Sequence, residues 1–198
     1  MNIPSFQPKK KLVIFASGSG TNAENIINYF KNSDKVEVVA VLSNKRSAGA
    51  LKRAHAHGVK PLLFDQDAFY HSHDVLNLLK DMKPDLIVLA GFLWLFPKRI
   101  LQQFSNKIIN LHPALLPAYG GKGMYGSKVH EAVIQNEEKE SGITIHYVNE
   151  HYDEGKIIFQ AVVPVDKNDS IESLAEKIHE QEYLHFPKVI EQLLEANS

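Results

Sequence analysis

Asn110 and His112 stand two residues apart in the stretch "IINLHPALLPAY". Side chains two apart in an extended segment share a face, so an amide and an imidazole are aimed at one place. Pro113 and Pro117 restrict the backbone that follows. The pair suits acyl transfer. When an amine attacks a carbonyl carbon, charge builds on oxygen, and Asn and a protonated His both donate hydrogen bonds to it. Imidazole also moves protons near neutral pH. There is no cysteine and no G-x-S-x-G elbow, so direct attack by a substrate amine is simpler than a covalent acyl-enzyme. Spacing alone also fits a strand end whose polar groups satisfy local backbone. An acid would raise the pKa of the His. Asp153, in the turn "NEHYDEG", is the candidate, although taken by itself it reads as an ordinary turn carboxylate.

A second chemical feature is "SGSGTNA", between a predicted strand and a predicted helix. Gly18 and Gly20 permit a tight turn, and the helix N-terminus offers N–H groups to an anion such as phosphate. Gly18, Gly20 and Ala23 also match the dinucleotide pattern G-x-G-x-x-A. The second strand ends in "SNKR", without an acid for a ribose diol, which disfavours NAD; Lys45 and Arg46 would suit an NADP phosphate. A turn with no ligand is the remaining reading. His55/His57 and His71/His73 are expected on helices, where residues two apart diverge, so no metal site is predicted.

These residues need elements to position them. "KLVIFAS", "KVEVVAVLS", "KPLLF", "DLIVLAGFL" and "KIINL" read as strands, several of them continuous apolar runs of the kind buried on both faces. Helical stretches separate them: "AENIINYFK", "AGALKRAHAHG", "HDVLNLLKDM" and "PKRILQQF". This alternation predicts an α/β fold with a doubly wound, mostly parallel, Rossmann-like sheet. After residue 112 the pattern becomes the helix "SKVHEAVIQN", the strands "GITIHYV" and "KIIFQAVVPV", and a long C-terminal helix. The strands should add to the sheet antiparallel. "DSIE" resembles a capping box at the start of the last helix, and Pro187 should kink or restart it. One domain is expected over 1–198, with a loose tail over 1–10 and halves at 11–112 and 113–198.

The 198 residues are 44% hydrophobic and 23% charged, with net charge -1, as expected of one globular domain and with no like-charge block for nucleic acid or a membrane surface. The start lacks the apolar core of a secretory signal, and no run has the length of a membrane span. A soluble, cytoplasmic protein is expected.

The segments "ASGSGTNAENII", "DLIVLAGFL", "IINLHPALLPAYGGKGMYG", "GITIHYVNEHYDEGKIIFQA" and "HEQEYLHFP" occur in this order. Together they resemble the phosphoribosylglycinamide formyltransferase family, folate-dependent enzymes of purine synthesis. The resemblance runs from about Lys11 to the end. It implies that Asn110, His112 and Asp153 form the catalytic group. It implies a substrate phosphate on the backbone of Gly20, Thr21 and Asn22, ribose hydroxyls on Glu182, and a further substrate contact at His179. Leu93, Trp94, Leu95 and Phe96, with Asn149, Glu150, His151, Tyr152 and Asp153, match the walls of a folate pocket that also includes Asn110. Thr144 and His146 match polar positions beneath the catalytic group. The folate, 10-formyltetrahydrofolate, is a cosubstrate; no cofactor is implied to be tightly bound. The implied partners are small molecules, with a monomer or weak homodimer expected.

Two departures stand out. Trp94 takes a position where many members have Arg, and a folate contact through the backbone would survive that change. "GGKGMYG" is longer than in many members, and its Lys122 reads either as a phosphate contact or as a solvated loop residue. Methionyl-tRNA formyltransferase and formyltetrahydrofolate deformylase resemble the same core, but the first typically has Gly and the second tends to have His where Pro113 stands. Outside this group, the rivals are an NADP oxidoreductase and a phosphate-binding regulatory module without turnover.

Overall fold

A computed structural model describes residues 8–196 of the chain. Strands β1 (Lys10–Phe15), β2 (Val36–Ser43), β3 (Lys60–Leu63), β4 (Leu86–Leu89) and β5 (Ile108–His112) pair in parallel. β6 (Glu140–Tyr147) joins β5 antiparallel, and β7 (Ile157–Pro164) joins β6 antiparallel. The order is β3-β2-β1-β4-β5-β6-β7. This is the expected α/β architecture, a mostly parallel sheet extended by two antiparallel strands. Strand order reverses between β1 and β4, so the loops at their carboxyl ends diverge and open a crevice.

Alternate residues of β1 feed two apolar cores. Leu12 and Ile14 pack with α1 (Thr21–Phe30), α2 (Gly49–Ala56), α6 (Ser127–Gln135) and α7 (Ile171–Ala196). Val13 and Phe15 pack on the other face with α3 (Gln66–Tyr70), α4 (Asp74–Met82) and α5 (Lys98–Gln103). Burial on both faces explains why these strands read as continuous apolar runs.

Several expectations need correction. Lys10 opens β1 rather than closing a tail; residues 1–7 of that expected tail lie outside the described residues. α3 was not anticipated. His71 and His73 fall at the ends of α3 and α4, and His57 just beyond α2, rather than within helices. No group of potential metal ligands gathers among the described residues. α7 runs through Pro187 as one helix of 26 residues. Proline deprives the carbonyl four residues earlier of its usual donor. Here that carbonyl, on Tyr183, accepts from Asn25 Nδ2 of α1 at 3.0 Å instead. The capping box is closed by Ser173 and not by Glu172: Ser173 N donates to Ser170 Oγ at 3.2 Å, and Ser170 N to Ser173 Oγ at 2.9 Å.

Candidate active site

The glycine loop meets α1 at Gly20, whose φ of 80° places it in the left-handed region. A Cβ there would lie 2.3 Å from Ala50 Cα, so the residue serves packing against α2 as well as the turn. No side chain caps α1, which leaves its first N–H groups facing a cavity of about 570 Å³. From behind, Arg53 Nε donates to the Ser19 carbonyl at 3.1 Å, while Arg53 and His57 both engage Glu24. Asn22 Nδ2 donates to Glu182 Oε2 at 2.8 Å, joining the loop to α7. Burial pushes the Glu182 carboxyl above its usual range, against the opposing pull of Asn22.

Asn110 and His112 line the same cavity from the end of β5. Cross-strand register sets Asn110 opposite His146 and His112 opposite Thr144. His112 Nε2 lies 2.7 Å from the Tyr119 carbonyl, which only accepts, so Nε2 carries a proton. Nδ1 therefore faces Asp153, 3.6 Å from its Oδ2. His146 Nδ1 likewise donates to the Tyr147 carbonyl at 2.9 Å, leaving Nε2 to accept from Asn110 Nδ2 at 3.1 Å. A longer bond of 3.4 Å joins Asn110 Nδ2 to Asp153 Oδ1.

The supporting loops are built for these contacts. Thr144 Oγ1 donates to the Ala114 carbonyl at 2.6 Å and accepts from Leu116 N at 3.0 Å, pinning the segment after His112. Asp153 and Tyr119 both have φ near 57°, uncommon for residues with side chains. Gly155 is pressed so tightly on the Tyr147 carbonyl that a Cβ would overlap it. That approach anchors the turn carrying Asp153, whose Oδ2 accepts from Gly121 N at 3.0 Å.

Burial is the largest influence on His112 and pushes its pKa below the usual value; Asp153 and the Tyr119 carbonyl pull the other way without prevailing. This overturns the expectation that Asp153 raises the His112 pKa above its ordinary value and holds the ring protonated. Asp153 itself lies below the usual carboxylate range. Burial opposes its ionisation but is outweighed by the His146 ring, the electrostatic interaction with the His112 ring and the Gly121 N–H.

Residues 10–190 match the formyl transferase family. The chain belongs to that family. It is 36% identical to phosphoribosylglycinamide formyltransferase of Haemophilus influenzae, covering 94% of this chain and 88% of the relative. It is 34% identical to that of Bacillus subtilis, covering 96% and 97%. A chloroplastic relative from Vigna unguiculata is 40% identical over 94% of this chain, which spans 62% of that longer protein. The crystal structure of glycinamide ribonucleotide transformylase 1 from Symbiobacterium toebii superposes with a TM-score of 0.88 at 32% identity, covering 99% of this chain and 92% of that one.

In this formyl transferase the predicted site residues largely converge. Gly20, Thr21, Asn22, His179 and Glu182 line one end of the cavity, and Asn110, His112 and Asp153 the other, and Leu93 also lines it. A small adjoining recess is lined by Trp94, Leu95, Phe96 and His151, and shares Asn110, Tyr152 and Asp153 with the main cavity. Trp94 packs among Phe64, Phe69, Tyr70 and Phe92. Its segment is held by Tyr70 Oη donating to the Leu95 carbonyl at 2.9 Å. Two residues do not line either space. Asn149 Oδ1 accepts from His151 N at 3.0 Å within the turn, and exposed Glu150 pairs with Lys98 at 3.0 Å. Lys122 is exposed on the cavity rim. The sequence reading missed His130, on α6, and the Tyr119 carbonyl. The helical spacing of Val129, His130 and Val133 was the available signal for an inward His130.

Proposed function

We propose that this formyl transferase moves the formyl group of 10-formyltetrahydrofolate to the amine of N1-(5-phospho-D-ribosyl)glycinamide, a step of de novo purine synthesis. One observation carries the reading: Asn110, His112 and Asp153 meet at one end of a cavity whose other end is an uncapped helix N-terminus. The relatives' names supply the phosphoribosylglycinamide acceptor, and the folate donor is what the family resemblance implies. The phosphate is assigned to the N–H groups of Gly20, Thr21 and Asn22, and the ribose hydroxyls to Glu182. The pterin is assigned to the recess beside Trp94 and Tyr152. Both substrates are small and soluble, and the cytoplasm is the expected setting.

The chemistry follows from an uncharged resting His112. The substrate amine attacks the formyl carbon, forming a C–N bond and placing charge on oxygen. Asn110 turns its amide from Asp153 and His146 to that oxygen. His112 Nδ1 takes a proton from the amine, and the resulting imidazolium is stabilised by Asp153. The intermediate then collapses, the bond from formyl carbon to folate nitrogen breaks, and that nitrogen leaves with the proton returned from His112. General acid–base help of this kind is typically worth about 10²–10⁴ in rate.

The test is direct. Purified protein is mixed with both substrates, and release of tetrahydrofolate is followed by absorbance. Turnover that requires both compounds is expected. Turnover without the ribonucleotide would indicate a hydrolase, and binding without turnover would indicate a regulatory module.

A further inference from the structure

We infer that His130 is a binding residue for the phosphoribosyl substrate, contacting its uncharged ribosyl or amide part between Glu182 and His112. The inference rests on the proposed function and adds to it a residue outside the loop and the catalytic group.

His130 is only 3% exposed, yet it lines the main cavity. Its Nδ1 is buried and has no hydrogen-bond partner. Buried ring nitrogens are ordinarily paired, and an unpaired one costs free energy. Val129 and Val133, on the same face of α6, are buried with it and anchor that face of the helix. His179 and His112 both act electrostatically on His130, so it lies within reach of both, and all three line the cavity. A second orphan lies in the same wall: Asn22 Oδ1 is also buried without a partner, while Asn22 Nδ2 is committed to Glu182. Two unpaired polar atoms on residues that line the same cavity as the buried Glu182 carboxyl describe a lining that a polar ligand completes.

The charge state narrows the ligand group. Burial, with the two neighbouring histidines, brings the His130 pKa to about 4, so the ring is neutral at pH 7. A neutral imidazole has one donor and one acceptor. It is a poor partner for phosphate, which favours cations and helix N-termini. It suits a hydroxyl or an amide. Those groups lie along the ribosyl–glycinamide portion of the substrate, between its phosphate and its amine.

The experiment compares wild type with His130→Leu, which keeps bulk and removes hydrogen bonding, and His130→Gln, which restores it. Steady-state kinetics are measured with each substrate varied. His130→Leu should raise the ribonucleotide KM roughly tenfold, the loss typical of one good hydrogen bond. The folate KM should move less than about threefold, and His130→Gln should recover most of the loss; a purely structural residue would move both KM values together. In parallel, the ribonucleotide alone is titrated into wild-type protein with the His130 ring signals followed by NMR. They should shift to saturation, a result that holds even if His130→Leu folds poorly. An unchanged ribonucleotide KM in His130→Leu, or ring signals that do not move, would overturn the inference. A wild-type protein that binds the ribonucleotide through His130 but transfers no formyl group would instead overturn the functional reading.

Discussion

The two ends of the cavity are made of different materials. At the glycine loop the groups we propose to face the ligand are backbone N–H donors, offered by a turn that Gly20 makes possible and that Arg53 holds from behind. At the other end they are side chains: Asn110, His112 and Asp153, drawn from a strand and a distant turn. A backbone site is local and fixed in charge. A side-chain site depends on long-range register, and its protonation follows burial. Damage at the first should therefore appear in substrate affinity, and damage at the second in turnover.

The largest effect is expected at the side-chain end. Asn110→Ala and His112→Ala should each lower kcat by about 10²–10³ or more, the usual cost of losing an oxyanion donor or a proton carrier. Thermal melts check that folding survives. Near wild-type kcat in either variant would erase the distinction between the two ends. At the loop end, Glu182→Gln should raise the ribonucleotide KM about tenfold while the folate KM stays within a few-fold. Equal changes in both would show that Glu182 only ties α7 to Asn22.

Sequence legibility follows the same division. "SGSGTNA" announces a strand-to-helix turn, to which the phosphate is assigned in our proposal, because glycine spacing, turn and helix start lie within a few residues. The central parallel strands β1, β4 and β5 were legible as apolar runs because both faces are buried. The Asn110–His112 pair was visible as a shared face, but its partners were not. His146 and Thr144 reach it through the β5–β6 register, and Asp153 through a turn locked by Gly155 on the Tyr147 carbonyl. The sign of the His112 shift was misread for the same reason. Charge proximity is suggested by a nearby carboxylate, whereas the depth of burial that outweighs it emerges only when the sheet and loops assemble. Pro187 misled because the donor that replaces its missing bond comes from another helix.

A smaller effect concerns pH and stability. His112 and His130 both have pKa values lowered by burial, His130 to about 4. The unfolded chain binds protons at these sites more readily, near the ordinary value of about 6.5. Their neutral-state stability is thus fully present above about pH 6.5 and is lost as pH falls through the folded-state pKa of each ring, which for His130 is about 4. Urea midpoints measured from pH 7.5 to 4.5 should fall, and His130→Leu should flatten part of that fall. A midpoint independent of pH, or one that rises on acidification with the same slope in the variant, would count against neutral buried rings. The smallest effect is expected from Arg53→Met, which removes the support behind Ser19 together with the partly exposed Glu24 pair: a rise of about two- to fivefold in the ribonucleotide KM, comparable to one partly exposed hydrogen bond. A larger change in kcat than in KM would show that the loop and the catalytic group are not separable.

The central claim is that His112 rests uncharged, with Asp153 opposing its burial and ready to stabilise the imidazolium formed in the reaction. Its most direct test is an NMR titration of the His112 ring in wild type and in Asp153→Asn. The wild-type pKa should lie below about 6.5, and removing the carboxylate should lower it further. A wild-type value above 6.5, or a pKa that rises or stays unchanged in Asp153→Asn, would contradict the account.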